Sequence, residues 1–464
     1  MKASRSLLFC LLSPCTAAKG PVSMENIAPL QITTANSSST QLTDLWNTTG
    51  NSYPTVFLSG LFGWAEDTPI LGIWNYWGGV TQNILLPLRK QGYTIVAPGI
   101  GPLSSNWERA CEAFAALTGD VTDYGIARSE RFGHARWGRN YTGHALLPQF
   151  ADNFIYTGHE LPPTKINLVG YSLGGPTART LTHLLTFGSD EEMQACEDTG
   201  LACSPLFWTN KTTTYVNSVF ALSGVHQGSI LADFLQAHDA AMEFVKDVFA
   251  LLVGTNNYNA SLSLVDLQLD HWNMTRSGTE LFPAFLDRLS RSPWFRSQST
   301  GLFDLTVANQ AHELLAFVRN SPDTNYFSVA GRTTYDFAGR TMSELSTLFP
   351  LMAGARIIAT YGCDGFPADV DTRDWRQSDG MVAIASSRGP QEGFRAFPMD
   401  MKAGKVEDLV PDLLFGPPLR GVYNYVGEMT GTDHSAFVGW GDIRPGLRDD
   451  FYTNVLRVLA AVDA

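Results

Sequence analysis

The chain is 464 residues long, 44% hydrophobic and 17% charged, so it can bury a large core and is not a disordered protein. A formal net charge of −13 repels nucleic acid and anionic membranes and leaves neutral lipid as a permitted partner. Beyond the N-terminus no stretch reads as a membrane span.

Residues 1–18 carry Lys2 and Arg5, a short apolar run from Leu7 to Leu12, and small residues at Cys15, Thr16, Ala17 and Ala18. This pattern reads as a signal peptide, so a secreted, extracellular protein is expected. Sequons at Asn36, Asn47, Asn140, Asn210, Asn259 and Asn273 suit a glycoprotein. Residues 19–52, rich in Ser, Thr and Asn, read as a flexible segment ahead of one domain spanning 53–464.

Apolar runs at Thr55–Leu58, Thr94–Ala97, Ile166–Val169, Tyr215–Leu222 and Tyr326–Ala330 alternate with helical patterns, which predicts an α/β fold with a mostly parallel sheet. Cys111 lies in the apolar helical pattern Glu108–Leu117 and reads as core. Cys196 and Cys203 stand close together in a polar stretch, and a short-loop disulfide fits an oxidising compartment. A long excursion over 231–320 interrupts the alternation. Its first part, Leu231–Val253, has a helical pattern with a large apolar side, readable as a mobile cover or as an ordinary core helix; periodicity alone favours the core helix.

The most informative stretch is Val169-Gly170-Tyr171-Ser172-Leu173-Gly174-Gly175. An apolar strand leads in and a helical pattern, Pro176–Leu185, leads out, so Ser172 falls on a sharp strand-to-helix turn with its hydroxyl exposed as a nucleophile. A serine hydroxyl needs a base, and the base needs an orienting carboxylate. In strand-to-helix serine hydrolases the chain order is Ser, acid, His. His434 fits best, in the polar loop Thr432-Asp433-His434-Ser435; His183, His238 and His312 sit in helical patterns, and His226 precedes the excursion. Asp379, on the turn Ser378-Asp379-Gly380, is the first candidate acid, with Asp433 in reserve; Asp364, Asp369, Asp371 and Asp374 crowd a loop that reads as solvated. The glycine-bearing turn Ser59-Gly60-Leu61 after the first strand offers the Leu61 N–H, together with that of Leu173, as an oxyanion hole.

With Trp77-Gly78-Gly79, Gly101-Pro102-Leu103-Ser104-Ser105-Asn106-Trp107, Asp123-Tyr124-Gly125, Gly133-His134-Ala135-Arg136, Ser204-Pro205-Leu206-Phe207 and Ser378-Asp379-Gly380, the chain from about Tyr53 onward resembles the large thermoalkalophilic bacterial lipases of α/β-hydrolase fold and their secreted fungal relatives. The resemblance implies a triacylglycerol lipase acting on neutral lipid esters at an oil–water interface. It makes Ser172, Asp379 and His434 catalytic, gives the oxyanion amides to Leu61 and Leu173, and makes the stretch after Ser229 a lid carrying Phe234, Leu235 and Phe249. An esterase or acyltransferase, and a silent lipid-binding relative, are the alternative readings. There are departures: Ser59-Gly60-Leu61 replaces His-Gly-Phe, and Leu173 replaces glutamine, both at positions that act through backbone N–H groups. The resemblance also implies structural zinc held by two aspartates and two histidines, at whose places stand Glu108, Arg128, His134 and Ser299; a cation at Arg128 opposes the metal. Ala436 replaces the main calcium carboxylate. The expectation is therefore an enzyme without metal cofactors, with Arg128 pairing with Glu108.

Overall fold

The computed structural model describes residues 50–70, 73–80, 82–154, 164–209, 211, 213–238, 266–277, 280–309, 317–361, 375–390, 393–396, 417–440 and 445–463. The leader, Phe249, His312, Asp364, Asp369, Asp371, Asp374 and the sequons at Asn36, Asn47, Asn210 and Asn259 lie outside these. Strands β1 (Thr55–Leu58), β2 (Ile95–Val96), β3 (Val121–Asp123), β4 (Trp137–Asn140), β5 (Ile166–Tyr171), β6 (Val216–Leu222), β7 (Asn325–Arg332), β8 (Thr334–Phe337), β9 (Arg340–Ser343), β10 (Phe394–Ala396) and β11 (Tyr423–Thr430) follow in chain order. Seven form one sheet in the order β10-β11-β7-β6-β5-β1-β2, every pair parallel. β3–β4 and β8–β9 are separate antiparallel pairs.

The central strands β1, β5 and β6 are buried along their whole length and mostly apolar because both faces are covered. Alternate residues serve opposite cores: Phe57, Val169, Phe220 and Phe327 pack with Tyr452 and Leu456 on one face. Val56, Leu58, Leu168 and Val219 pack with Phe114 and Leu181 on the other. The Asn106–Thr118 helix opens with a Ser105–Glu108 capping box and stops at Gly119. Near the other end of the chain, the Asp463 carboxylate accepts from the N–H groups of Ser52 and Tyr53 and from Asn167 and Asn217, tying the entry of β1 to β5 and β6. Cys196 and Cys203 form a disulfide, and Cys111 is a buried free thiol.

Two expectations change. The helical pattern read over Leu231–Val253 starts as a helix over Ile230–Ala237 and is interrupted at His238, which is extended; the rest of that expectation, from residue 239 on, lies outside the described residues. β10 and β11 were not predicted as strands: β10 has three residues, and β11 mixes Asn424 and Glu428 into its apolar run and shifts register between Tyr425 and Gly427. Among the described residues no helix is long and apolar enough to cross a membrane.

Candidate active site

β1 lies between β2 and β5, so the chain leaves β1 to one side and returns on the other. Such a switch point opens a crevice at the carboxyl ends of the strands, where α/β sheets bind ligands. The ends here are Ser59-Gly60-Leu61 after β1 and Ser172 after β5.

Ser172 has φ 56°, a left-handed conformation that a residue with a side chain seldom adopts. Glycines permit the turn. A Cβ on Gly170 would sit 2.2 Å from Gly174 O, one on Gly174 2.2 Å from Leu58 O, and one on Gly60 2.8 Å from Ser172 Cβ. The turn is locked by Ser172 N–H to Leu222 O (3.0 Å) and Gly175 N–H to Ser172 O (3.0 Å).

His434 follows β11, and its Nε2 is 2.9 Å from Ser172 Oγ while its Nδ1 is 2.6 Å from Asp379 Oδ2. Asp379 is fully buried. Its Oδ1 accepts from the N–H groups of Met381 (3.0 Å) and Val382 (2.8 Å), and its Oδ2 also accepts from Ser223 Oγ (2.5 Å). These donors fix the carboxylate, and the carboxylate fixes the imidazole. Tyr171, whose hydroxyl burial pushes well above its ordinary pKa, donates to His434 O at 2.8 Å and stacks beside the ring. The reserve acid, Asp433, is engaged elsewhere: it caps the His434–Val438 turn through Ala436 N–H (3.0 Å) and accepts from Leu348 N–H (3.1 Å) and Ser435 Oγ (2.7 Å). The three residues Ser172, Asp379 and His434 thus come together, and Asp433 does not join them.

Among the described residues, the N–H groups of Leu61 and Leu173 make no hydrogen bond, whereas those of their neighbours Gly60 and Phe62 reach Tyr76 Oη (2.8 Å) and Pro102 O (2.9 Å). Behind them lies Arg109, a residue that sequence reasoning did not single out. Its guanidinium donates to Ser59 O, to Gly101 O (2.7 Å) and to Thr177 Oγ1 (3.0 Å), joining the turn after β1 to the helix after Ser172. Burial lowers its pKa to about 10, still protonated at neutral pH.

One expectation fails here: Ser172 is not exposed. It and His434 are each only 7% accessible. Ala232 of the Ile230–Ala237 helix packs with Leu173, Val225, Leu305 and Val382, and Leu61 and Met381 close the same cluster. On that helix Phe234 and Leu235 are half-buried.

The positions matched to zinc ligands also meet, with a change. Arg128 donates to Ser299 Oγ (2.9 Å), and Ser299 Oγ donates to Glu108 Oε1 (2.6 Å), so the expected Arg128–Glu108 pair is relayed through Ser299. Glu108 Oε2 accepts from Ser105 N–H (3.1 Å). His134 and His271 each bring an Nε2 to 3.6 Å from a Glu108 oxygen. His271, from the turn Asp270–Trp272, was missed because nothing local marks it. Burial works to raise the Glu108 carboxyl, but His271, His134 and Arg128 together outweigh it and hold the group below its ordinary pKa. Ala436 offers no carboxylate, and its N–H serves the Asp433 cap.

The sequence profile described as "Lipase-like, C-terminal domain" matches residues 51–443. The chain belongs to this family. Lipase 2 of Staphylococcus aureus (strain MRSA252) is 29% identical over 420 residues, covering 89% of this chain and 55% of its own length. The lipase of Staphylococcus epidermidis is 28% identical over 341 residues, 73% of this chain and 45% of its own. The chain therefore spans about half the length of these curated relatives. Among solved structures, Staphylococcus hyicus lipase superposes with TM-score 0.70 at 26% identity, over 89% of this chain and 96% of that one. EstA from Clostridium botulinum gives 0.72 at 28%, over 89% and 88%. The parallel sheet flanked by helices is the α/β-hydrolase architecture of these lipase-like proteins.

Proposed function

We propose that the protein is a secreted carboxylic ester hydrolase, a triacylglycerol lipase working through an acyl-enzyme. The observation that carries this is the unbroken chain from Asp379 through His434 to Ser172 Oγ, at a strained turn beside two unengaged amides. His434 Nε2 takes the Ser172 proton as Oγ attacks the ester carbonyl carbon, and the N–H groups of Leu61 and Leu173 receive the oxyanion. The C–O bond to the alcohol then breaks, His434 returns the proton to the leaving alcohol, and water repeats the sequence to release the fatty acid.

Lipid at an oil–water interface is the substrate form that the surroundings of Ser172 favour. A covered serine needs an opening step, and the amphipathic Ile230–Ala237 helix is the cover we assign to a lid. The β8–β9 hairpin adds support. Thr334 and Thr341 are buried on one face, where Thr334 Oγ1 accepts from Ser378 N–H (2.9 Å) beside Asp379, while Tyr335, Phe337 and Met342 are exposed on the opposite face. Leu345 (97% exposed) and Phe349 (84%), in the segment that follows, are exposed as well. So many exposed apolar side chains in one stretch of chain suit contact with lipid. The exposed sequons Asn140 and Asn273 agree with the secreted glycoprotein reading.

Hydrolysis rates across triglycerides of increasing chain length, beside soluble short esters, test the reading. Long-chain emulsions should be hydrolysed, and Ser172→Ala should remove at least about three orders of magnitude of kcat with unchanged circular dichroism. A folded mutant that keeps its turnover sinks the mechanism; activity confined to soluble esters reduces the protein to an esterase.

A further inference from the structure

The resemblance to zinc-binding lipases raises the question of whether a metal fits at Glu108. It does not. Of the four matched positions, two keep metal-ligand side chains, Glu108 and His134; the other two are a guanidinium and a serine that hydrogen-bond each other. Both Glu108 oxygens already accept hydrogen bonds, from Ser299 Oγ and from Ser105 N–H. Among the described residues no three His, Cys, Asp or Glu side chains converge closely enough to hold a metal ion. A positive charge beside the carboxylate is nonetheless present, because Arg128 lies over the Phe132 ring, 4.1 Å from its centroid, and near that of Trp107 at 5.7 Å.

We propose that Arg128 is a built-in cation that replaces zinc: joined to Glu108 through Ser299, it pins the loop that runs from Ser299 to Gly301 against the oxyanion residues, and the chain takes no metal there. Three segments meet at this clamp. Glu108 belongs to the Asn106–Thr118 helix, Arg128 to the Ile126–Phe132 helix, and Ser299 to a loop whose next residues reach the proposed oxyanion site. Gly301 N–H donates to Leu103 O at 2.8 Å. A Cβ on Gly301 would lie 3.1 Å from both Leu173 Cδ2 and Leu61 Cδ1, so this loop rests on the two residues whose amides face the reaction. A guanidinium suits the role because it stays charged at any pH of interest and its flat face stacks on aromatic rings. Unlike a bound metal, it cannot be removed by a chelator. Arg128 is a positioning residue here, acting through Ser299 and the loop.

This inference needs the clamp geometry alone and survives failure of the lipase reading, since metal content and melting temperature decide it without the ester-turnover readout. Two buried imidazole nitrogens without hydrogen-bond partners, His134 Nε2 and His271 Nε2, are the route by which a metal would enter, so the metal content of the wild type is decisive. The purified wild type should carry well under one zinc per chain, and its Tm should respond neither to EDTA nor to zinc. Arg128→Met, which keeps length and loses charge, should lower Tm by at least about 2–4 °C. In the double variant Arg128→His with Ser299→Asp, zinc should bind near one per chain, raise Tm reversibly and restore ester turnover that EDTA removes. One zinc per wild-type chain with an EDTA-sensitive Tm overturns the proposal, as does an unchanged Tm in Arg128→Met. A double variant that folds but ignores zinc shows that Arg128 and Ser299 are not what excludes the metal; if it does not fold, the other two measurements decide.

Discussion

Two carboxylates adjoin His434, and their hydrogen bonds separate their roles. Asp379 directs Oδ2 at the imidazole and is held by Met381, Val382 and Ser223, whereas Asp433 spends its oxygens on Leu348, Ser435 and Ala436. Asp379→Asn should therefore cost on the order of 10⁴ in kcat, since an amide stabilises the wrong imidazole tautomer. Asp433→Asn keeps only one accepting oxygen and so loses either the Leu348 N–H or the Ala436 N–H bond; it should lower stability by about 1 kcal/mol and leave most of kcat. Ser223→Ala, which removes one neutral-to-charged hydrogen bond, should cost roughly tenfold. Steady-state kinetics and urea unfolding on the three variants separate these outcomes, and a kcat loss confined to Asp433→Asn would reassign the acid. At this scale the sequence spoke clearly where chemistry leaves a local mark: glycines around a serine, or a histidine in a polar loop late in the chain. Arg109, Ser223 and His271 left none, because each meets a partner at least 50 positions away, Ser59, Asp379 and Glu108 respectively, brought near only by the fold.

At the scale of elements, the strands in the middle of the sheet were legible because burial on both faces writes a continuous apolar run. The cover over Ser172 was less so. The helical pattern that runs to Val253 is interrupted at His238, and periodicity carries no signal for such a break; residues 239–253 lie outside the described ones. The hairpin β8–β9 was missed since its apolar residues face outward, against the usual rule. If helix and hairpin meet lipid, Phe234→Ser with Leu235→Ser, and separately Phe337→Ser with Phe349→Ser, should lower activity on emulsified triglyceride several-fold more than on a soluble short ester. Opening apolar surface costs about 25 cal/mol per Å² in water and far less against oil, which is why the two substrates should respond differently. Equal losses on both would make the helix ordinary core, and adsorption measured on neutral lipid emulsions would show whether the hairpin takes part.

For the whole molecule, two histidines, the buried His226 and the half-buried His183, set an acid limit. Burial lowers His183 to about 4 and His226 to about 3; His226 lies against Tyr423 and feels the charge of Arg179. Both are neutral in the native state where the unfolded chain, with an ordinary value near 6.5, binds protons. Stability is therefore complete above about pH 7 and falls as pH drops from about 6.5 towards 4, with a limiting slope of about 1.4 kcal/mol per pH unit for each histidine. Urea unfolding at pH 7, 6 and 5 should show this limb, and His226→Gln should flatten it by about half. An unchanged slope would mean that other groups dominate.

Asp463 gives the molecule a further property. Its carboxylate binds Ser52 and Tyr53 across 411 and 410 residues, and the imidazole of His434 meets Ser172 across 262. Contacts of such sequence separation close last, after the loop entropy between them has been spent. During synthesis the serine and its strand emerge long before the residues that activate it, so the growing chain carries an inert hydroxyl. Under the proposed mechanism the chain from Asp379 through His434 to Ser172 is thus complete only once His434 has docked beyond the end of β11.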